Sequence, residues 1–287
     1  MKAFVVDLSI CNGCYCCQIA CKDEHVANDW TPYARPQPDH GQFWIKVDER
    51  VRGTVPKVKV SYFPQLCRHC SDAACIAVCK PNAIYRREDG LVIIDPLKCT
   101  GCKLCPDACS YDRIYFNDSL NIAQKCTGCA HLLDDGWDLP RCVDACPTDA
   151  LRFGDESELR DLIRKEEAIK PVCGPGLVHY LNLPEKFVAG TVYDPIEKEV
   201  IIGAACILED KVSGSILTAE TDSFGDFWFH GVGDGPCALT IKKNQNVKVI
   251  EDIRTREDIN LGDIPMPVSA QRFRGQSPHP PNSQSQD

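Results

Sequence analysis

Sixteen of the twenty cysteines in this 287-residue chain fall into four consecutive runs. These are Cys11-x2-Cys14-x2-Cys17-x3-Cys21, Cys67-x2-Cys70-x4-Cys75-x3-Cys79, Cys99-x2-Cys102-x2-Cys105-x3-Cys109 and Cys126-x2-Cys129-x12-Cys142-x3-Cys146. Thiolates at this density wrap a cube of iron and inorganic sulfide, which takes up and gives back one electron. The chemistry read first is therefore electron transfer.

The spacing has a mechanical reason. Three thiolates on a short turning loop reach three corners of one cube, while the cysteine four positions beyond the third lies one helical turn on and points elsewhere. In two-cluster ferredoxins that fourth sulfur ligates the other cube, so runs work in pairs, and four runs make four cubes. The first and third runs keep the bacterial ferredoxin spacing. Gly13, Gly101 and Gly128 each precede the second cysteine of a run, where the backbone must turn with positive φ or approach a sulfide closely; the second run has His69 there. Structural zinc closes with four ligands from two separated pairs, whereas the first and third runs each place four cysteines within eleven residues. Disulfides need an oxidising compartment, and the opening MKAFVVDLSI has neither a charged and apolar leader nor a cleavage site.

The elements that position these loops are short. Between the second and third runs, β-type stretches at 84–86 and 91–94 flank Glu88, Asp89 and Gly90, a hairpin. Pro81 and Pro147 are expected to end the short helices carrying Cys79 and Cys146. Residues 22–66 form an insertion, in which FWIKVDERV and KVKVSYF read as a second hairpin turning at Arg52, Gly53 and Thr54, an arm packed over the clusters or against another subunit. At 155–170, Leu159, Leu162, Ile163 and Ile169 share one helical face, and this helix is expected to cap the cluster domain. From about Glu185, β-runs separated by Gly and Asp turns (KFVAGTVYD, VIIGAACILED, SILTAETD, DFWFHGV, CALTIKK, VKVIEDI) read as a β-sandwich. The polar, almost apolar-free end is expected to be disordered. The predicted organisation is an α+β ferredoxin-like tandem 4Fe-4S domain at 1–170 with the hairpin insertion at 22–66, a linker at 171–184, an all-β sandwich at 185–266 and a tail at 267–287.

A net charge of -9 and a pI near 5.3 exclude the clustered basic surface that nucleic acid requires. No apolar run approaches the roughly eighteen residues of a membrane span. Cluster thiolates are made and filled under reducing conditions, so the expected location is cytoplasmic, the alternative being export together with a signal-bearing partner.

The order of the four runs, the x12 gap before Cys142 and the phrase AQKCTGCAHLLDDG resemble the iron-sulfur subunit of molybdopterin oxidoreductases of the dimethyl sulfoxide reductase family, over roughly residues 1–170. KFVAGTVYD, the Gly203-Ala204 step and TDSFGDFWF resemble a transthyretin-like or carboxypeptidase-regulatory-like immunoglobulin-type sandwich. The combination is similar to the branch of that family whose catalytic partner is a pyrogallol-phloroglucinol transhydroxylase. The resemblance implies that the first and fourth runs exchange their outlying cysteines, and likewise the second and third. One cube would use Cys11, Cys14, Cys17 and Cys146, and its mate Cys126, Cys129, Cys142 and Cys21. The other pair would use Cys67, Cys70, Cys75 and Cys109, then Cys99, Cys102, Cys105 and Cys79. It further implies a large molybdopterin-containing catalytic subunit with molybdenum or tungsten, a further electron donor or acceptor protein, and no catalytic residue on this chain. Ser110 and Lys22 follow Cys109 and Cys21 where ferredoxin runs often have proline. The transhydroxylase branch has one degraded cysteine set; the set is intact here, which points to net hydroxylation or dehydroxylation of a phenolic compound.

Other residues have simpler readings. Cys16 breaks the spacing if counted as a ligand and is assigned to packing or to a place beside the ligands; Cys173, Cys206 and Cys237 are isolated, the last two as small buried hydrophobes. His69 is not a Rieske ligand, since no second Cys-x2-His occurs, and GVGDG at 231–235 is a turn between strands, with no Lys-Ser or Lys-Thr to complete a phosphate loop. A free-standing polyferredoxin would have no need of the sandwich and the insertion, and a hydrogenase or formate dehydrogenase subunit would copurify with a different partner.

Overall fold

Helices of a single turn are unstable alone, so the loops around the cysteines must be held by neighbouring hairpins and by a sheet. A computed structural model of the chain describes residues 1–167 and 176–268. The chain divides into two units, Met1–Val51 with Val60–Pro184, and Arg52–Lys59 with the residues from Glu185 onward.

The first unit opens with strand β1 (Lys2–Asp7) and continues through helix α1 (Cys16–Val26) into the hairpin β2 (Ile45–Thr54) and β3 (Lys57–Leu66). Then one motif recurs. Helix α2 (Ala74–Ala77) leads to the hairpin β4 (Ile84–Arg86) and β5 (Val92–Ile94), and helix α3 (Leu104–Asp107) to the hairpin β6 (Tyr115–Asn117) and β7 (Ile122–Gln124). Helices α4 (Ala130–Asp134) and α5 (Arg141–Asp144) precede strand β8 (Leu151–Asp155), helix α6 (Glu156–Glu167) and strand β9 (Val178–Leu181).

The central sheet has the order β8-β1-β9, with Phe4 opposite Phe153 in antiparallel register and Val6 opposite Tyr180 in parallel register. The unbroken apolar run of β1 suits a strand covered on both faces. Phe4 and Val6 enter the main core with Trp44, Leu66, Leu91 and Ile93, while Ala3 and Val5 meet Ile163, Leu159 and Leu162 of α6. Ile169 lies outside the described residues. Two expectations change. The segment 171–184, read as a linker, contains β9, whose four residues complete the sheet. The insertion hairpin turns at Val55-Pro56, and Arg52, Gly53 and Thr54 continue β2; proline cannot donate to a ladder and is placed in the turn.

The second unit is two four-stranded sheets. One joins β10 (Phe187–Asp194), β11 (Glu199–Val200), a later strand β14 (Asp226–His230) and β17 (Ile259–Pro265), which runs parallel to β10. The other has the order β13-β12-β15-β16, from β12 (Ala205–Asp210), β13 (Ile216–Glu220), β15 (Pro236–Lys243) and β16 (Asn246–Arg254). Alternating side chains fill the core between them: Val188, Val192, Phe227 and Phe229 from one sheet, Cys206, Leu208, Leu239 and Ile241 from the other. The hairpin tip Arg52–Lys59 belongs to this unit. Arg52 donates to the carbonyl of Glu185 and pairs with Asp258 at 3.3 Å, buried Lys57 pairs with Asp226, and Asn260 donates to the Thr54 carbonyl. Cys206 and Cys237 are buried, as small apolar side chains are. Residues 269–287, where most of the predicted tail falls, lie outside the described residues.

Candidate metal centres

Each run combines a backbone reversal with a helical turn. Gly13, Gly101 and Gly128 all have positive φ, 69°, 70° and 64°, and His69 takes the same left-handed conformation at 47°. The second run is thus no exception; the position demands the conformation and a histidine adopts it. The helices α2, α3 and α5 carry the third cysteines Cys75, Cys105 and Cys142, but end before the fourth. Cys79, Cys109 and Cys146 sit just past the helix caps, so the prolines at 81 and 147 follow helices that have already stopped.

A repeat that spacing alone did not disclose follows each of these cysteines. The amides of Asn82, Asp112 and Asp149 donate back to the carbonyls of Cys79, Cys109 and Cys146 at 3.0, 3.1 and 3.4 Å, and all three residues have φ between 51° and 54°. Asn and Asp tolerate this conformation better than other L-residues; their presence three positions after the last cysteine is the signal. The first run departs from the motif. Its helix α1 continues for eleven residues and carries Cys17 and Cys21 one turn apart, both buried.

The thiols gather across runs. Cys67, Cys70, Cys75 and Cys109 line one cavity of about 230 Å³. Cys99, Cys102 and Cys105 line another with Cys79. Burial pushes the Cys17 thiol up to about 12, and Cys11, Cys146 and Cys14 add to the shift. Burial likewise holds Cys21 and Cys142 well above the ordinary thiol range; Cys126 and Cys129 raise Cys21, and Cys129, Cys21 and Cys126 raise Cys142. These neighbours suit four candidate groups: Cys11, Cys14, Cys17 and Cys146; Cys21, Cys126, Cys129 and Cys142; Cys67, Cys70, Cys75 and Cys109; and Cys79, Cys99, Cys102 and Cys105.

The groups also act on one another in sequence. Cys17 acts on Cys21, Cys67 on Cys126, and Cys75 on Cys105. Cys105, pushed up to about 12 by burial, is also raised by Cys99. Exposure follows the same line: all four thiols of the second group are buried, while Cys14 in the first and Cys102 in the last are exposed. Backbone amides face sulfur, among them Gly128 to Cys126 at 3.3 Å, Arg113 to Cys109 at 3.4 Å and Ala123 to Cys99 at 3.5 Å.

Four all-thiol sets, two of them lining cavities and with backbone amides aimed at sulfur, fit 4Fe-4S clusters, which take one thiolate per iron. The raised thiols would be neutral without metal, so cluster binding must displace their protons. Bound there, such clusters supply one-electron carriers.

Cys16 is exposed at the start of α1, so it packs into no core; it lies beside the thiol of Cys14, as a neighbour of a ligand would. His69 is fully buried; its Nδ1 accepts from the Val92 amide at 2.9 Å and its ring stacks on Phe4. Cys173 lies outside the described residues. No described helix is long and apolar enough to cross a membrane.

Comparison with known proteins gives a consistent placement. A family model for a 4Fe-4S dicluster domain matches residues 58–156. The chain is 35% identical to the pyrogallol hydroxytransferase small subunit of Pelobacter acidigallici over 276 residues, covering 91% of this chain and 97% of that one. It is 33% identical to the arsenate respiratory reductase iron-sulfur subunit ArrB of a Shewanella species, covering 60% of this chain and 92% of that protein. With the B subunit of the anaerobic dimethyl sulfoxide reductase of Escherichia coli it shares 34% identity over 59% of this chain and 80% of that one. On that similarity, the chain belongs to the family of iron-sulfur electron-transfer subunits of dimethyl sulfoxide reductase-type molybdopterin oxidoreductases.

Proposed function

We propose that this chain holds four 4Fe-4S clusters in one line and relays electrons to or from a molybdopterin catalytic subunit. The ligand sets are the four groups above, with the outlying cysteines exchanged between the first and fourth runs and between the second and third. The observation that carries this reading is the ordering of the thiol groups with the exposed ligands, Cys14 and Cys102, only in the terminal groups. A relay needs an entrance and an exit, and burial of the inner sites keeps electrons from leaking to solvent oxidants. The recurring helix-and-hairpin motif supports a tandem ferredoxin-like arrangement, and the two facing sheets a transthyretin- or immunoglobulin-like sandwich.

The relative named for pyrogallol points to a phenolic substrate for the partner. Moving a hydroxyl between two aromatic molecules consumes no external electrons, whereas net hydroxylation or dehydroxylation does, and an unbroken line of ligand sets serves the latter. A dye-linked assay of the purified complex tests this: phenolic turnover should require an electron donor or acceptor. Turnover independent of either, with about sixteen iron atoms and as many sulfides bound per chain, would refute the net-redox reading. Iron near twelve would remove one cluster.

A further inference from the structure

Lys125 lies between the end of β7 and Cys126 and is 2% exposed. Its ammonium donates to the carbonyl of Val92 on β5 and to that of Cys126 at 3.0 Å. Both acceptors are neutral, and among the described residues no Asp or Glu side chain pairs with it. A buried ammonium without a counter-ion is costly, so such charges are found paired. The negative groups within reach are sulfurs, and they come from both inner sites. Cys126 belongs to the group with Cys21, Cys129 and Cys142; Val92, the other anchor, lines the cavity of Cys67, Cys70, Cys75 and Cys109. Lys125 acts electrostatically on Cys126 and on Cys75, one thiol from each inner site.

We propose that Lys125 supplies a positive charge shared by the two inner metal sites, which raises the reduction potential of both. Adding an electron makes a cluster one unit more negative, so a nearby cation held away from water stabilises the reduced form more than the oxidised one. The inner sites are the most buried and would otherwise be hardest to reduce; a shared cation offsets that. This inference rests on the four-cluster reading.

The experiment is a potentiometric titration followed by electron paramagnetic resonance on the purified complex, comparing wild type with Lys125→Met and Lys125→Arg. In Lys125→Met the inner pair should need at least a tenfold larger ratio of reductant to oxidant, a downward shift of about 59 mV or more for one electron, with the outer pair moving less. Lys125→Arg should keep both inner potentials within about threefold of wild type on that scale. Full iron with unmoved inner potentials in Lys125→Met overturns the proposal, as do equal shifts in both variants, which would mark a packing effect. Should Lys125→Met lose iron, Lys125→Arg decides: full iron with unmoved potentials supports the need for charge, and loss of iron there too overturns it. Wild-type iron short of about sixteen per chain would instead count against the four-cluster reading.

Discussion

Replacing Gly128 by alanine should remove the cluster proposed for Cys21, Cys126, Cys129 and Cys142. Gly128 has φ +64°, and an added Cβ would lie 2.7 Å from Cδ2 and 3.0 Å from Cδ1 of Leu91, which is fully buried. Two costs add. The left-handed conformation is unfavourable for alanine by about 1–2 kcal/mol, and overpacking a filled core costs roughly another 1–3 kcal/mol, for a total near 2–5 kcal/mol. Gly136 provides the control, since it has φ +91° but nothing within 4 Å of its added Cβ; Gly136→Ala should cost only the first, about 1–2 kcal/mol. Because the Gly128 amide faces the Cys126 sulfur, relief of the clash by backbone movement would displace a ligand. Anaerobic guanidinium unfolding of the full chain, with iron and sulfide counts, measures both effects. Equal midpoints and full iron in the two variants would refute the reasoning, because the contact with Leu91 would then carry no weight.

Cys146→Ser should damage the same cluster signal as Cys11→Ser, and Cys109→Ser the same one as Cys67→Ser; a loss in Cys146→Ser that matches Cys126→Ser would reject the exchanged ligation. Lys57→Met should destabilise the second unit by about 2–3 kcal/mol, below the full value for a buried pair because Asp226 keeps 22% of its side-chain surface; adding Asp226→Asn should recover part of it in chemical unfolding. His25 is held near 3 by burial, reinforced by His131. An unfolded chain binds a proton at this residue below about pH 6.5, where the folded one does not, so stability falls as pH drops from 6.5 toward 3, by up to about 1.4 kcal/mol per pH unit. His25→Asn should flatten that slope in unfolding experiments across the window; an unchanged slope would show that His25 does not remain neutral.

The candidate metal ligands were legible because ligand spacing is a local property: a loop that delivers three sulfurs to one place must space its cysteines accordingly, whatever surrounds it. Most β-runs between Phe187 and Arg254 were legible for a similar reason, since alternating burial, as in β13, β14 and much of β16, writes itself into alternating residues. What escaped was decided at a distance. Val178–Leu181 is a four-residue strand only because β1 offers a parallel edge, and Ile259–Pro265 became β17 through pairing with β10, with its first four residues half-buried on both sides of the strand. His69 hid its turn because glycine is the usual marker of positive φ, and its burial against Phe4 and the Val92 amide is what holds a larger side chain there. That each fourth cysteine points away from its own run follows from spacing; which run it joins, Cys146 with Cys11 for example, is a matter of three-dimensional routing, and only the resemblance to a known family supplied it.

The hairpin tip Arg52–Lys59 has a consequence for the order in which the protein is made. It leaves the ribosome about 125 residues before Glu185, where the strands it packs with begin. At about 5–20 residues per second, that is a wait of roughly 6–25 s, during which Lys57 has no Asp226 to pair with and Gly53 no Phe187 to pack against. The first domain to emerge therefore carries a loose finger that belongs to the last. A nascent chain stalled or cleaved before Glu185 would leave that finger without its partners.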